Sequence, residues 1–326
     1  MNRRTQARLL GLWCKLQAVR GTDAIGRAAL APFLRPPAKP ETPKKTAFLD
    51  TARQTTRRLA GYDCAVYEWG EPGAPYVFSD IGWGYSAGRW RHFAPALVAA
   101  GYRFVAFDPP GHGRSPYAEC PYPRRVAVQQ ALLAESGAPA LVLAHSFGSG
   151  CVCESLAGLP VGDRPVRVAL LAPFSEVRYI FRIYAEALGF GAVAWASLRR
   201  AIEELAGRRL AEMEPARVAP RLAGVPALIA HDPADAVTAF SNAERLARHW
   251  PGAYLYPAAG AGHGFRDAAS TRVVLDWLLR GDIPAGASVN ATPPEVLAQA
   301  PHALAEAFYP LELDLAHGGH RSRFFG

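Results

Sequence analysis

Residues 140–150 have the sequence Ala-Leu-Val-Leu-Ala-His-Ser-Phe-Gly-Ser-Gly, in which an apolar run leads through His145 into Ser146 and its small neighbours. The pattern predicts a strand, a tight turn and the start of a helix, with Ser146 at the apex of the turn. Such a reversal holds a hydroxyl out of the sheet, and the backbone N–H groups that follow face the atom it would attack. Ser146 is therefore a candidate nucleophile, although a serine among small residues also occurs in ordinary turns.

The small residues around Ser146 fit the pattern Gly-x-Ser-x-Gly with one departure. Gly148 occupies the second glycine position, whereas Ala144 replaces the first. Because alanine adds only one methyl group where the backbone is most crowded, the turn can still form.

Apolar runs that alternate with helical patterns surround this turn. Alternation of this kind predicts a mostly parallel sheet flanked by helices, whose ligand sites lie at the carboxyl ends of the strands. The predicted strands are residues 64–69, 76–80, 102–107, 140–145, 166–171, 225–230 and 253–256, and the clearest predicted helices are 90–100, 126–136 and 272–279.

Length and composition restrict the class of protein. The 326 residues, 50% of them hydrophobic, suffice for one large α/β domain with extensions. We expect no membrane span, because no uninterrupted apolar run approaches the roughly 18–20 residues that a spanning helix needs. The five cysteines include no Cys-x-x-Cys pair, so we expect neither a disulfide framework nor a zinc site, and the cytoplasm is the simplest location.

The positive charge of the chain lies almost entirely in its first sixty residues. These contain thirteen of the 36 lysines and arginines but only three of the 28 acidic residues, which leaves 23 basic and 25 acidic residues for the rest. A nearly neutral body argues against a nucleic-acid-binding groove, because such grooves are strongly basic.

The N-terminal segment combines this charge with apolar side chains at helical spacing, namely Leu9, Leu12, Trp13, Leu16 and Val19. We expect an amphipathic helix that packs on the folded domain through this apolar stripe. The alternative is a peripheral contact of residues 1–30 with an anionic membrane, or an arginine-rich targeting peptide. Prolines recur between residues 32 and 43, where we expect an extended linker.

A second glycine-rich segment imitates a dinucleotide-binding fingerprint. Gly82, Gly84 and Gly88 follow a predicted strand and precede a predicted helix, and Asp108 ends the next strand. The glycine spacing is off by one, however, and Asp108 leads into a proline and glycine loop. We therefore predict no nicotinamide cofactor.

Five short motifs together resemble the α/β-hydrolase superfamily. They follow the family's order at about its spacing: Ile81-Gly-Trp-Gly84, Asp108-Pro-Pro-Gly-His-Gly-Arg-Ser115, His145-Ser-Phe-Gly148, His231-Asp-Pro-Ala-Asp235 and Gly262-His-Gly-Phe265. The resemblance covers about residues 60–280, and the chain is most similar to bacterial esterase- or thioesterase-like members that carry a helical N-terminal extension.

The resemblance implies a catalytic nucleophile, acid and base at Ser146, Asp235 and His263. It also implies an oxyanion hole formed by the backbone N–H groups of Trp83 and Phe147. The alternatives are a carboxylate at position 235 that caps a nearby helix and an exposed loop histidine at position 263. Ile81 departs from the family, which usually has a histidine there to organise the oxyanion loop, and this puts the geometry of the hole in doubt.

The resemblance further places a substrate-covering cap at residues 174–224, where the sequence is mostly helical. Aromatic side chains there suit an apolar acyl or aromatic group, although helices more often carry such residues for packing. The predicted substrate-binding residues are Tyr85, Tyr179, Phe181 and Tyr184. The predicted division is a basic helical extension and linker (1–60), a hydrolase core (61–173 and 225–280), the cap (174–224) and a C-terminal extension (281–326).

These observations predict a serine hydrolase that cleaves a carboxylic ester or thioester of a small molecule through an acyl-serine intermediate, without a metal or organic cofactor. Family members that open epoxides or release halide have an aspartate at the nucleophile position, and Ser146 argues against both. Two alternatives remain: an acyltransferase that uses the same residues, and a non-catalytic binding protein on the same scaffold, for which Ile81 is the best support.

Overall fold

A nine-stranded sheet forms the centre of the computed structural model, which describes residues 3–36 and 41–290. Its strands are β1 (Arg53–Leu59), β2 (Tyr62–Trp69), β3 (Tyr76–Asp80), β4 (Arg103–Asp108), β5 (Leu141–His145), β6 (Arg167–Leu171), β7 (Ala227–His231), β8 (Tyr254–Pro257) and β9 (Ser288–Val289). The order across the sheet is β1-β2-β4-β3-β5-β6-β7-β8-β9. The pairs β1/β2, β2/β4 and β8/β9 are antiparallel and the other five are parallel, which confirms the predicted fold class.

Helices cover both faces of this sheet. The α-helices are α1 (Arg3–Leu16), α2 (Asp23–Phe33), α3 (Pro43–Leu49), α4 (Ala94–Ala99), α5 (Tyr122–Ser136), α6 (Phe147–Ala157), α7 (Val177–Ala187), α8 (Ala192–Ala206), α9 (Pro215–Val218), α10 (Ser241–His249) and α11 (Ala268–Arg280). Short 3-10 helices lie at Gln17–Arg20, Ala87–His92, Val161–Asp163, Leu210–Glu212 and Ala219–Leu222. Within the described ranges, none of the helices has the length and apolar character needed to cross a bilayer.

The central strands are apolar throughout because both of their faces are covered. In β5, Val142 and Ala144 join the core on one face of the sheet, with side chains of α5, α6 and α10. Leu141 and Leu143 join the core on the other face, with side chains of α3, α4 and α11. Successive residues of a strand point to opposite faces, so a strand buried on both sides needs a continuous apolar run.

The first sixty residues contain more regular structure than the predicted helical extension and linker. Residues 53–59 form β1, an edge strand that pairs with β2 and exposes most of its side chains. Pro32 lies in the last turn of α2, and Pro43 begins α3, a position where its missing N–H costs no hydrogen bond. Of the predicted linker, residues 37–40 lie outside the described part of the chain, as do residues 291–326 of the predicted C-terminal extension.

The helix α1 packs on the body through the face opposite to the predicted one. Its buried residues include Ala7 and Cys14, and a Cβ atom at Gly11 would lie 1.9 Å from the carbonyl oxygen of Leu188. The backbone of α1 can approach the backbone at Leu188 this closely only through its small residues. The apolar stripe on the other face of α1 therefore points away from the body. The stripe residues Leu9, Leu12, Trp13, Leu16 and Val19 are exposed, and the prediction that they are buried is wrong.

Helices from two distant parts of the chain form a layer above the carboxyl ends of the strands. The helices α7, α8 and α9 connect β6 to β7, and α2 packs against α8. Several hydrogen bonds join them; for example, the backbone N–H of Gly26 donates to Ser197 Oγ over 2.7 Å, and Tyr184 Oη donates to the Ala29 carbonyl over 2.7 Å. This layer shares an apolar core with Phe147 at the start of α6.

Candidate active site

Ser146 occupies the turn between β5 and α6 in a backbone conformation that few residues other than glycine adopt, with φ 52° and ψ −119°. The neighbouring backbone crowds it. A Cβ atom at Gly148 would lie 2.6 Å from the Ile81 carbonyl oxygen, and one at Gly82 would lie 2.8 Å from His145 Nδ1. The two glycines therefore allow the loop after β3 to lie directly against the turn.

Hydrogen bonds join Ser146, His263 and Asp235 in one chain. His263 Nε2 lies 3.1 Å from Ser146 Oγ, and His263 Nδ1 lies 2.7 Å from Asp235 Oδ2. Because a carboxylate only accepts, Nδ1 carries the proton and Nε2 is free to accept one from the serine hydroxyl. Asp235 follows β7 and His263 follows β8, so the structure brings all three residues to the carboxyl ends of parallel strands.

The electrostatic surroundings keep Asp235 charged and His263 neutral. Burial alone would raise the pKa of Asp235, but hydrogen bonds from His231 and His263 outweigh it and hold the pKa below its usual value. Asp235 Oδ1 also accepts the N–H groups of Val237 and Thr238, so the carboxylate caps the following turn as well as orienting the histidine. Burial lowers the pKa of His263, which Asp235 offsets only in part, and the ring is therefore in the form that accepts a proton.

The loop that carries Trp83 lies beside the start of α6. Phe147 is the first residue of that helix, so its N–H has no acceptor within the helix. The rings of Trp83 and Phe147 are 5.4 Å apart at their centroids. The backbone groups predicted to form an oxyanion hole thus come from two adjacent segments. A buried ion pair holds the segment that carries Trp83 in place.

That ion pair joins Asp80, at the end of β3, to Arg125 on α5. Both side chains are fully buried, and Arg125 donates from Nε to Asp80 Oδ2 over 3.0 Å and from Nη2 to Asp80 Oδ1 over 2.5 Å. Arg125 Nη2 also donates to the Ile81 carbonyl, the Ile81 N–H donates to Asp80 Oδ1, and Gln129 donates to Asp80 Oδ2. These bonds anchor the loop that is predicted to carry an oxyanion donor, at the position where the family resemblance implies a histidine.

His145 supports the His263 loop from beneath. Its Nε2 lies 2.8 Å from the His263 carbonyl oxygen, and the two rings are 4.9 Å apart at their centroids. Burial holds the pKa of His145 well below its usual value, so the ring is neutral and donates this hydrogen bond from Nε2. His145 therefore positions the backbone of His263 without reaching the reacting atoms itself.

Asp108, which we considered as part of a dinucleotide fingerprint, joins two loops instead. Its carboxylate accepts the N–H groups of Ala87 and Arg114 and the hydroxyl of Tyr67, over 2.7, 2.9 and 2.8 Å. The side chain is fully buried, and these three donors occupy it. It is therefore a structural carboxylate rather than a ribose ligand.

Comparison with known proteins agrees with this architecture. Residues 81–169 match the family model described as the alpha/beta hydrolase fold. The chain has the α/β-hydrolase fold. Two solved structures share this fold: the esterase RhEst1 from Rhodococcus sp. ECU1013 (21% identity, TM-score 0.52, covering 70% of this chain and 99% of that one) and the carboxylesterase CesB from Bacillus subtilis (14% identity, TM-score 0.54, covering 73% of this chain and 95% of that one).

A relative with higher identity has a different activity in its name. Epoxide hydrolase A of Mycobacterium tuberculosis is 38% identical over 125 residues, which are 36% of this chain and 38% of that protein. The chain thus matches well under half the length of that relative. The proteins that this chain resembles include two esterases of similar fold and one epoxide hydrolase, so the choice between these activities depends on the site.

An apolar pocket lies beside the turn that carries Ser146 and encloses about 400 Å³, its open mouth included. It is lined by Leu30, Phe33, Leu34, Trp83, Cys120, Pro121, Tyr122, Pro123, Phe147, Val177, Phe181, Ile202, Leu205, Ala206 and Met213. Three of these residues belong to or directly follow α2. The N-terminal segment therefore contributes a wall to the pocket, as do the helices between β6 and β7.

The four aromatic residues predicted to bind substrate have different positions. Phe181 lines the apolar pocket, where its ring is 4.5 Å from that of Phe33 at the centroids. Tyr184 is buried with its hydroxyl bonded to α2, and Tyr179 Oη accepts the backbone N–H of residue 239 over 2.9 Å. Tyr85 packs edge-on against His145, with centroids 5.3 Å apart. These three tyrosines are outside the lining of the apolar pocket: Tyr179 and Tyr184 use their hydroxyl groups to join helices and loops, and Tyr85 packs its ring on His145.

Proposed function

We propose that this protein is a serine hydrolase that cleaves a carboxylic ester or thioester through an acyl-serine intermediate. The observation that carries the proposal is the hydrogen-bonded chain from Ser146 Oγ through His263 to Asp235, with distances of 3.1 and 2.7 Å. A serine hydroxyl becomes an effective nucleophile when an adjacent base accepts its proton as it attacks.

The proposed reaction has two halves. Ser146 Oγ attacks the carbonyl carbon while His263 Nε2 accepts its proton, and the backbone N–H groups of Phe147 and Trp83 face the oxyanion that forms. His263 then returns the proton to the leaving alcohol or thiol, which departs as the acyl-serine ester forms. Water attacks this ester by the same route, releases the carboxylic acid and restores the Ser146 hydroxyl.

The apolar pocket supports a substrate with an apolar acyl or aromatic group. Its lining is almost entirely hydrocarbon and sulfur, and Trp83 and Phe147 belong both to the pocket and to the proposed oxyanion hole. An acyl chain that enters this pocket has its carbonyl end near the turn. We therefore propose esters and thioesters of aliphatic or aromatic acids as the substrate class.

Epoxide opening is a second candidate, favoured by the 38% identity to an epoxide hydrolase over 125 residues. Ser146 argues against it, because the epoxide-opening members of the superfamily have aspartate where this chain has serine. An acyltransferase differs from the proposed hydrolase only in the group that accepts the acyl chain. Parallel assays with a p-nitrophenyl ester, with styrene oxide, and with the ester plus an added alcohol distinguish the three activities.

The central experiment labels the purified protein with a fluorophosphonate probe. We expect labelling of wild-type protein, and loss of both labelling and ester turnover in Ser146→Ala. Ser149→Ala is the matched control, since Ser149 is a buried serine on the same helix whose Oγ has no hydrogen-bond partner in the described residues. Absence of labelling in folded wild-type protein would instead favour a non-catalytic binding protein on this scaffold.

We also propose a reducing compartment, with the cytoplasm as the simplest one. All five cysteines are buried and carry free thiols. Burial raises the pKa of Cys120 and of Cys64 to about 12, so both thiols are protonated and unreactive at neutral pH.

A further inference from the structure

A second cavity lies beside the loop that carries His263 and shares no lining residue with the apolar pocket. It encloses about 280 Å³, its open mouth included, and is lined by Lys45, Tyr85, Arg89, Arg91, His92, Phe93, Gly264, Phe265 and Arg266. Four of these nine residues are lysine or arginine and a fifth is histidine. We refer to it as the cationic cavity.

The positive charges of the cationic cavity have little compensation from the protein. Within residues 3–36 and 41–290, none of Lys45, Arg89, Arg91 and Arg266 forms an ion pair with a carboxylate. The acidic side chain that interacts with the cluster is Glu41, which favours the charged form of Lys45 from beyond ion-pair distance. Four basic side chains and one carboxylate leave the cavity with an excess of positive charge at neutral pH.

Arg89 is the buried member of the cluster, with 5% of its surface exposed. Its Nη2 donates to the Gly264 carbonyl over 2.9 Å, whereas its buried Nε has no hydrogen-bond partner among the described residues. A buried guanidinium with an unused donor is costly unless an anion or another acceptor satisfies it. Arg89 is thus a polar side chain, more than nine-tenths buried, that the protein itself leaves incompletely paired.

The cations also repel one another. Burial lowers the pKa of Arg89 to about 9, and the charges of Arg266 and Arg91 act in the same direction. Burial likewise lowers the pKa of Lys45 and that of His92, and the three arginines add to both effects. An anion at the centre of the cluster would replace this repulsion with attraction.

We propose that the cationic cavity binds a phosphate group. A phosphate carries up to two negative charges and several acceptor oxygens, which match three guanidinium forks and one ammonium better than a single carboxylate does. The phosphate can be free inorganic phosphate or part of the substrate. In either case it adjoins Gly264 and Phe265, and so lies next to the loop that positions His263.

The test measures binding of inorganic phosphate to the full chain by titration calorimetry at constant ionic strength. We expect saturable binding, and a loss of affinity of about tenfold or more in Arg91→Gln and in Lys45→Gln, because each removes a charge-assisted hydrogen bond. Arg272→Gln is the control: Arg272 is an exposed arginine of α11, outside the cavity, and we expect its affinity to stay within about twofold of wild type.

Two results overturn the phosphate proposal. One is the absence of saturable binding at constant ionic strength. The other is an equal loss of phosphate affinity in Arg91→Gln, Lys45→Gln and Arg272→Gln, which would indicate a general effect of net charge. Unchanged unfolding temperatures confirm that the variants fold, and phosphate should raise that temperature in wild type but not in Arg91→Gln. This readout does not depend on the reaction proposed at Ser146.

Two thioesters distinguish the source of the phosphate. An acyl-coenzyme A carries phosphate groups, and the same acyl group on N-acetylcysteamine carries none. If Arg91→Gln lowers kcat/KM for the first and not the second, the phosphate belongs to the substrate. If both are unchanged while phosphate binding is lost, the cavity binds free phosphate.

The exposed face of α1 carries a second and independent inference. Leu9, Leu12, Trp13 and Leu16 are 50%, 57%, 50% and 62% exposed, although α1 is held to the body through its opposite face. Residues 3–22 contain five basic residues and no acidic ones. An exposed apolar face on a segment whose charged residues are all basic is complementary to an anionic lipid surface.

We infer that this face of α1 lies on an anionic membrane surface. Sedimentation of the full chain with phosphatidylglycerol vesicles should recover the protein, whereas phosphatidylcholine vesicles and high salt should not. Leu12→Gln should reduce recovery about tenfold, while Val161→Gln, which alters an even more exposed apolar residue outside α1, should not. Equal recovery of both variants, or dimerisation without vesicles that Leu12→Gln abolishes, would overturn this inference.

Discussion

Removal of Arg125 should destabilise the protein more than removal of any exposed arginine. The Arg125→Gln change takes away the cation but leaves Asp80 fully buried, with acceptor oxygens that only the Ile81 N–H and Gln129 still satisfy. Breaking one side of a buried ion pair costs roughly 3–5 kcal/mol, because a desolvated charge remains without a partner. The free energy of unfolding of a typical domain is about 5–15 kcal/mol, so this loss is a large part of it.

The assay is equilibrium unfolding in urea, with Arg58→Gln as the matched control. Arg58 forms an ion pair with Asp63 through one contact of 3.0 Å, and the two side chains are 67% and 49% exposed. Exposed pairs contribute about 0–1 kcal/mol, so the control should unfold almost as wild type does. If Arg125→Gln loses no more stability than Arg58→Gln, the buried pair does not hold this part of the fold together.

The same variant separates stability from site geometry. Arg125 Nη2 donates to the Ile81 carbonyl at the base of the proposed oxyanion loop, so loss of Arg125 should displace the Trp83 N–H. A misplaced oxyanion donor costs on the order of a hundredfold in rate. We therefore expect slow fluorophosphonate labelling of Ser146 even under conditions where Arg125→Gln is fully folded, and labelling at the wild-type rate would contradict this positioning role.

Three further predictions concern pH, substrate and stability. Because burial holds the pKa of His263 below its usual value of 6.5, kcat/KM should rise with deprotonation of this ring and reach half its maximum below pH 6.5; an inflection near neutral pH or above would contradict this. Phe33→Ala should enlarge the apolar pocket and raise kcat/KM for long acyl chains relative to short ones by about tenfold, while Leu12→Ala, on the exposed face of α1, should leave the ratio unchanged. Burial and the nearby charge of Glu176 raise the pKa of Glu214 from 4.5 to about 7, so the native state binds a proton that the unfolded state releases, and stability should fall as pH rises through this window. Glu214→Gln should flatten that part of the curve in thermal unfolding measured from about pH 4 to pH 8, and an unchanged slope would refute the assignment.

The central strands could be predicted from the sequence because burial on both faces leaves a continuous apolar run. β5 and β7 lie within two residues of the predicted ranges 140–145 and 225–230. The edge strand β1 could not, since its sequence Arg-Gln-Thr-Thr-Arg-Arg-Leu is polar and its face is open to solvent. The two-residue strand β9 is too short to give any periodic signal.

Some residues of the candidate site could likewise be predicted from the sequence, and others could not. Ser146 and His263 lie in glycine-rich loops whose local sequence marks them, and the structure places them within hydrogen-bonding distance of each other. Arg125 lies on a helix at an ordinary position for a solvated charge, and nothing near it in the sequence indicates that Asp80 is its partner. The place of Phe33 in the pocket could not be predicted either. The neighbouring Pro32 indicated a linker at the position where α2 completes its last turn.

The backbone conformation of Ser146 has a consequence for the whole molecule. At φ 52° and ψ −119°, a side chain with a Cβ atom carries strain of about 1–3 kcal/mol that glycine would avoid. The surrounding β5 and α6 hold the residue there because both elements are deeply buried. The most stable version of this chain would therefore have glycine at position 146, and the protein gives up part of its folding stability in order to present a hydroxyl group at this point.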